Sequence, residues 1–412
     1  MGKLVKGLAL SAVASSIVMA GAYKIPEQSI NSMALGAAYV AHTTGADTAY
    51  FNPANMAFMD EKQYLEGGLT LAHLPSNEYQ LMAPYSGKSE IENILIPNLH
   101  YVANPMGNFR WGVSLSVPGG LTKRWDTPFQ KAYAEEFTLK VVELNPAFSY
   151  KVMDNFSIGG GVRLIYSEGI VKSDSPRGGR DMEGDTFEFG YNLALAYKPT
   201  SDIDFGITYR SNIDLNEEGN AKLYGASRPN GKFYDGDASV SVPLPAALNI
   251  AIAKTWEDTF TLELNYERTF WSEYKDLDFK YTGANNAMIP SIFRHSEKNW
   301  KDTDTFRIGA TMKMDSKLTM MMGFAIDESP VPVKYIGFEL PDSDAKIFSM
   351  GFRYQQTENL SWGAAFLYDS KESISLKRGG HADQSPTNLL NNGGSFDEGG
   401  AFLTTIGISY EF

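Results

Sequence analysis

The last twelve residues, Ala401 to Phe412, hold a strict two-residue alternation that few environments allow. Phe402, Thr404, Ile406, Ile408, Tyr410 and Phe412 fall on one parity, and Leu403, Thr405, Gly407, Ser409 and Glu411 fall on the other. A period of two marks a strand lying between two different media. Large apolar groups crowd one face, and small or polar groups sit on the other. The same dyad recurs upstream. Phe109, Trp111, Val113, Leu115 and Val117 alternate with Arg110, Gly112, Ser114 and Ser116. Phe156, Ile158, Gly160, Val162, Leu164 and Tyr166 alternate with Ser157, Gly159, Gly161, Arg163, Ile165 and Ser167. Ile203, Phe205, Ile207 and Tyr209 alternate with Asp204, Gly206, Thr208 and Arg210.

The connections between these strands are of two kinds. Six are short and built from turn-forming residues: Asn104 to Asn108, Met153 to Asn155, Pro199 to Asp202, Trp256 to Asp258, Asp315-Ser316, and Thr357 to Asn359. Between them lie long polar stretches: Lys123 to Glu136, Ser173 to Asp185, Glu217 to Asp235, Tyr281 to Lys301, Glu328 to Asp344 and Lys371 to Glu398. Short turns at one end and long loops at the other are the pattern of a transmembrane barrel. Six short turns, with both chain ends on the short-turn side, require seven hairpins and therefore 14 strands. An even count lets an antiparallel sheet close without leaving an edge. The fold class expected is all-β: a 14-stranded antiparallel transmembrane barrel over residues 61–412.

The N-terminus carries an export leader. Lys3 and Lys6 precede an apolar run, Gly7 to Val18, too short to span a bilayer. Val18-Met19-Ala20 places cleavage after Ala20, with Ala22 as a second option, so residues 1–20 read as a signal peptide. The chain has no cysteine, which excludes a lipoprotein anchor and disulfides. Past the leader no apolar run reaches the length of a membrane helix. A mean hydropathy of −0.26 suits a barrel, because half of each strand faces a polar interior. The net charge of −13 argues against nucleic acid as a partner. The terminal Phe412 resembles the C-terminal signature of bacterial outer-membrane barrels, which places the chain in that membrane.

Residues 21–60 lack the dyad. They are rich in Ala, Gly, Ser, Thr and Asn. A barrel of 14 strands is too wide for side chains alone to fill, so this segment reads as a plug, or hatch, in the lumen.

A family resemblance follows from several short motifs. They are Gly21-Ala22-Tyr23-Lys24-Ile25, Ala34-Leu35-Gly36-Ala37-Ala38-Tyr39, and Asp47 to Ala54 ending in Asn52-Pro53-Ala54. Further along come Val142-Glu143-Leu144-Asn145-Pro146, Gly159-Gly160-Gly161-Val162, Leu244-Pro245, Asp304-Thr305-Phe306-Arg307, Gly323 to Pro332, and Leu340 to Asp344. In this order and spacing they resemble the FadL/TodX family of outer-membrane transporters of long-chain fatty acids and other hydrophobic compounds. The resemblance implies a 14-stranded barrel with an N-terminal hatch. It also implies a relay of external capture, an internal pocket and sideways release into the bilayer, with no cofactor. The implied partners are a hydrophobic small molecule and the surrounding lipid and lipopolysaccharide, and the implied state is a monomer. Long-chain fatty acid is the leading cargo, neutral aromatic or aliphatic hydrocarbon the alternative, and a general porin for polar solutes the competing class.

The candidate sites follow from chemistry and resemblance together. Pro118-Gly119-Gly120, taken as the end of the third strand, offers no ladder donor at Pro118 and permits a kink that would open the wall. Tyr23, Asn52, Pro53 and Ala54 belong to the hatch, and by resemblance the Asn-Pro-Ala tripeptide packs near the kink. Arg163, Arg294 and Lys298 are candidate partners for a cargo carboxylate, although Arg163 shares inward parity with Glu143 and could pair with it instead. Where the family can show a basic residue after the fifth strand, this chain has Glu168 to Lys172, which departs from that pattern. Trp125, Phe129, Tyr133 and Phe137 could form an apolar external groove or pack their loop onto a neighbour. The last three are four residues apart, as on one helical face. The five histidines have no metal-ligand spacing, and no nucleophile elbow, phosphate loop or dinucleotide fingerprint is present. His295 and Ser296 are the only obvious candidates for a base and nucleophile and lie in a loop, so no catalytic residue and no metal are expected.

Overall fold

In the computed structural model, residues 21–225, 231–384 and 388–412 are described, and the leader expected over residues 1–20 lies outside them. Fourteen staves form one ring. They are β1 (Tyr64–Leu74), β2 (Glu92–Val102), β3 (Phe109–Arg124), β4 (Glu136–Met153), β5 (Phe156–Ser173) and β6 (Gly178–Thr200). Next come β7 (Ile203–Arg210 continued by Ile213–Gly225) and β8 (Lys232–Leu244 continued by Ala247–Trp256). The ring is completed by β9 (Phe260–Thr269), β10 (Thr303–Lys313), β11 (Leu318–Asp327), β12 (Ala345–Gln355), β13 (Leu360–Lys371) and β14 (Gly400–Glu411). Each pairs antiparallel with its sequence neighbours, and β14 returns to β1 in the register Tyr64↔Glu411 to His73↔Phe402. The Phe412 N–H donates to the Gln63 carbonyl at 3.0 Å, so the last residue ties the seam. All six short turns stand where the sequence puts them.

Parity decides which side chains meet the bilayer. Phe402, Ile406, Ile408, Tyr410 and Phe412 are exposed on the outer wall, and Ala401, Leu403 and Thr405 are fully buried inside. Ile158, Val162, Leu264, Phe306, Phe348 and Met350 continue the outward apolar band. Aromatic pairs collect at the short-turn end: Tyr101–Trp111, Tyr197–Phe205, Trp256–Phe260, Tyr354–Trp362 and Tyr410–Phe412. Amphipathic rings suit that polar–apolar boundary.

Two stretches expected as loops are largely ladder. Residues 178–185 pair back onto β5 and residues 217–225 onto β6 and β8. These extensions carry polar residues on the outer face and Met182, Ala221 and Leu223 on the inner one, so they lose the outward apolar band while keeping strand geometry.

Residues 21–59 run through the ring and touch strands on every side. Glu263 in β9 accepts from the backbone N–H of Val40, Ala41 and His42. In β12 the Arg353 guanidinium donates to Asn31 and pairs with Glu66 of β1 at 2.7 Å, and the Ser349 hydroxyl donates to the Ala34 carbonyl at 2.9 Å. Two short helices, α1 (Ile30–Ala34) and α2 (Thr48–Phe51), give the segment its only regular turns before Pro53. Inward glycines make room for it. A Cβ on Gly323 would stand 2.1 Å from the Leu35 carbonyl carbon, and one on Gly206 would stand 2.6 Å from the Val40 oxygen.

Candidate functional site

The wall is not uniformly paired. β2 and β3 share only Leu99↔Leu115 to Val102↔Gly112, although β2 continues to Glu92 and β3 to Arg124. The cause lies in β3. Against β4 the register steps from Ser116↔Glu143 to Gly119↔Val141, so β3 holds one extra residue at Val117-Pro118. Pro118 has no N–H to give the ladder, and the bulge turns the strand's edge away from β2. The expectation that Pro118-Gly119-Gly120 ends the third strand is therefore corrected: the strand bends there and goes on, held by β4 from Gly119↔Val141 to Arg124↔Glu136. At the long-loop end the separation is bridged again, where Arg124 grips Glu92 through two charge-assisted bonds of 2.8 and 2.7 Å.

The N-terminal segment takes the place of β2 in this interval. The Ile25 N–H donates to the Pro118 carbonyl at 2.9 Å, the Gly120 N–H donates to the Tyr23 carbonyl at 2.8 Å, and Lys24 faces Gly119. The Gln28 carboxamide acts as one more strand residue. Its Nε2 donates to the Val117 carbonyl and its Oε1 accepts from the Val117 N–H, both at 2.9 Å. The bulged peptide is thus satisfied without β2. This corrects the expectation for Asn52-Pro53-Ala54, which does not reach the kink. The Ser157 hydroxyl donates to the Ala54 carbonyl at 2.7 Å, and the Asn52 carboxamide donates to Val40 at 2.8 Å and to Leu195 in β6 at 3.4 Å. A Cβ on Gly159 would lie 2.6 Å from the Ala54 nitrogen, so only glycine admits the tripeptide there.

Two cavities meet at the N-terminal strand. The outer one, of about 850 Å³, opens among the long loops and is lined by Tyr23, Leu139, Val242, Tyr274, Trp300 and Leu340, among others. Tyr23 is buried, its ring edge-on to Trp271 at 4.8 Å and its hydroxyl donating to the Pro243 carbonyl. Lys298 lines this cavity, but its ammonium is paired with Glu339. Burial works to raise the Glu339 carboxyl, and the adjacent Lys298 outweighs it, leaving that carboxyl below the usual range. Glu217, buried and accepting from Ser167, also lines it.

The inner cavity, of about 650 Å³, lies beside Pro118 and is rich in cations: Lys24, Arg163, Arg210 and Arg307 line it, with Glu267. Arg163 is held by Glu143 at 3.0 Å and by the Ser211 carbonyl at 2.7 Å, so the pairing that its parity allowed is realised. Arg210 shares the same Glu143, and its guanidinium lies over the Tyr50 ring at 4.4 Å, yet its Nη1 is buried with no partner among the described residues. Lys24 and Arg307 both reach Glu267, at 2.6 and 3.1 Å.

The remaining candidates lie apart from these cavities or are divided between them. Arg294 sits in the β9–β10 loop, its Nε donating to the Ile289 carbonyl. Trp125 and Tyr133 pack onto Phe338, and the Trp125 indole N–H donates to its carbonyl at 2.9 Å. Phe129 sits on α3 (Pro128–Ala134) and stays partly exposed against Tyr85, while Phe137 belongs to β4 and lines the outer cavity. Phe129 and Tyr133 are thus four apart on one helix, but Phe137 does not join them, because the helix ends at Ala134. Arg210 was visible as an inward residue of its strand. Nothing in one strand's parity says that Arg210, Lys24 and Arg307 converge.

Among the described residues no helix is long and apolar enough to cross a membrane, and no cluster of metal ligands occurs. The family model described as "Outer membrane protein transport protein (OMPP1/FadL/TodX)" matches residues 11–412. A long-chain fatty acid transport protein of Escherichia coli O6:H1 is 24% identical over 353 residues, covering 73% of this chain and 76% of its own. A 47 kDa outer membrane protein of Pasteurella multocida is 26% identical over 363 residues, covering 78% and 80%. In three dimensions the chain is similar to a Pseudomonas aeruginosa FadL homologue, with a TM-score of 0.81 at 20% identity over 95% of this chain and 99% of the other. It is also similar to the Pseudomonas putida toluene transporter TodX, with a TM-score of 0.70 at 15% identity over 94% and 98%.

Proposed function

The chain belongs to the OMPP1/FadL/TodX family of outer-membrane transport proteins, and from that premise we propose that it takes up long-chain fatty acids passively, releasing them sideways through the gap between β2 and β3. The observation that carries this reading is the series of an apolar outer cavity, a cationic inner cavity and an unpaired stretch of wall. Each methylene moved out of water is worth about 0.8 kcal/mol, so an open aqueous pore would be a poor conduit for such a cargo. A chain of apolar spaces ending at the bilayer keeps the tail out of water throughout. Residues 21–60 act as the hatch. They fill the lumen, and residues 23–28 close the gap as a removable strand.

The carboxylate is accounted for at the inner cavity. The unpartnered Nη1 of Arg210 supplies a buried donor beside Pro118, which a fatty-acid head can satisfy. The relatives named as long-chain fatty acid transport proteins agree with this cargo. A second reading, neutral hydrocarbons, is favoured by the outer cavity, where Glu339 neutralises Lys298 and Glu217 offers no welcome to an anion. The neighbour named as a toluene transporter fits that reading. No cofactor takes part. The ring closes within one chain, so a monomer in lipid and lipopolysaccharide suffices.

The test is uptake of labelled oleate, with toluene in parallel, in cells lacking their own fatty-acid channel. Replacing Pro118-Gly119-Gly120 by Val-Thr-Val restores a ladder donor and straightens β3. Oleate uptake that this variant abolishes supports cargo and route together. Toluene uptake without oleate keeps the route and changes the cargo. If neither enters and planar bilayers show sizeable ion conductance, the chain is a porin and the proposal is wrong.

A further inference from the structure

We propose, resting on the reading of the outer cavity as a ligand chamber on the transport route, that this cavity selects an uncharged aromatic ring bearing a hydroxyl, a phenol, through the carboxyl of Glu217. Glycines build the seat. Gly169 of β5, Gly184 of β6 and Gly219 of β7 are cross-strand partners, Gly169↔Gly184 and Gly184↔Gly219, and all of them line the cavity. With strands about 4.8 Å apart, such a row makes a strip of bare backbone about 10 Å wide. A flat ring can lie against it where side chains would hold it off. The next row toward the long loops is Val171, Met182 and Ala221, all buried and apolar, which suits the ring and an alkyl substituent. The row on the opposite side is polar, with Ser167 in β5 and Glu217 in β7.

Glu217 supplies the selecting group. It is 3% exposed, and the Ser167 hydroxyl donates to its Oε1. Its Oε2 is buried and has no hydrogen-bond partner among the described residues. The atoms nearest a Cβ built on Gly169 all belong to this side chain, at 3.7 to 3.9 Å, with Oε2 among them. The hollow over Gly169 thus opens beside the unfilled oxygen, and a ligand atom there stands within reach of it. An unmade hydrogen bond on a buried oxygen is costly, so a ligand that completes it is favoured over one that cannot. The charged groups that act most on Glu217 are Asp185, Glu168 and Glu188, all acidic. The lysine that lines the cavity, Lys298, is spent on Glu339. A carboxylate head is therefore repelled, and a bare hydrocarbon leaves Oε2 unsatisfied. A hydroxyl both donates and accepts, and it completes Oε2 without bringing a charge.

The test is equilibrium dialysis of the purified protein in detergent at about pH 7, where a phenol stays neutral. The ligands are para-butylphenol, para-butylanisole, in which a methyl replaces the hydroxyl proton, and oleate. The expected result is para-butylphenol bound tighter than para-butylanisole by about tenfold or more, the worth of one hydrogen bond to a buried carboxyl. In Glu217→Leu that preference should vanish. Should Glu217→Leu fail to fold, as judged by loss of heat-dependent gel migration, Gly169→Val serves instead, because its side chain fills the hollow beside Oε2 and should also erase the preference. Equal binding of the phenol and the anisole by wild type, or a preference that survives in the variant, overturns the proposal. Binding of oleate alone overturns it as well. Binding of none of the three overturns the transport reading beneath it.

Discussion

Replacing Gln28 by Ala should release the strand that covers the wall gap without unfolding the barrel. Gln28 is 1% exposed, and its carboxamide makes three bonds of 2.9 to 3.0 Å: two to the backbone of Val117 and one to the Ile25 carbonyl. Val117 is itself buried, and its N–H and C=O have no strand partner at the bulge. An unpaired buried donor or acceptor costs about 1–3 kcal/mol. Water entering through the loosened gap can recover part of two such losses, which leaves about 2–4 kcal/mol. That energy falls only on the closed state, so the open population should rise roughly 30- to 1,000-fold, since every 1.4 kcal/mol is a factor of ten. Hydrogen exchange followed by mass spectrometry reads this directly. Peptides containing Ile25 and Gly120 should exchange faster by that factor, and peptides from β9 to β13 should not change. Unchanged exchange at Ile25 would show that Gln28 is not the clasp. A uniform rise across the ring would show that the segment is part of the barrel's stability and not a separable cover.

Three further outcomes follow from the same geometry. Arg210→Met should lower oleate uptake by roughly tenfold to a hundredfold, the worth of one charge-assisted hydrogen bond, with toluene entry unchanged in the same cells. Glu143 keeps Arg163 in that variant, so the wall's buried carboxylate stays paired. Glu339→Gln frees the Lys298 ammonium in the outer cavity and should tighten oleate binding by about tenfold in a fluorescence displacement titration, without effect on a neutral ligand. Gly159→Val drives a side chain into the Ala54 nitrogen and should dislodge Asn52-Pro53-Ala54, raising ion conductance in planar bilayers while the barrel still shows heat-dependent gel migration.

Most of the barrel could be read from the chain because a membrane imposes its period wherever lipid touches a strand. Phe402 to Phe412 and Phe156 to Tyr166 show that parity, and the six turns gave the strand number. Legibility failed where lipid no longer reaches. Residues 178–185 and 217–225 are strand at the long-loop end, polar on the outer face, and look like loop. The kink was legible in Pro118-Gly119-Gly120, but its continuation was not, because β3 above it, with Leu121, Thr122 and Lys123 all buried, shows no outward apolar face. The pair Glu143–Arg163 was legible from shared inward parity. The convergence of Lys24, Arg210 and Arg307 was not, since they come from the N-terminal segment and from two strands, β7 and β10, separated by β8 and β9. The partner of Asn52-Pro53-Ala54 was misplaced for a similar reason: a segment without periodicity gives no register, and contacts with Gly159, Ser157 and Leu195 fix it.

The most direct test of sideways release is to lock the removable strand. Lys24 and Gly119 face each other as a pair flanked by the Ile25–Pro118 and Gly120–Tyr23 bonds, the close-approach kind of antiparallel pair, whose spacing suits a disulfide. The chain has no cysteine of its own, so Lys24→Cys combined with Gly119→Cys introduces the only two thiols. Labelled oleate uptake is measured in one variant, oxidised and then reduced, with the bond verified by mass spectrometry. The account predicts uptake abolished when the bond is formed and restored on reduction. Equal uptake in the two states would mean that the cargo does not leave through the gap beside Pro118.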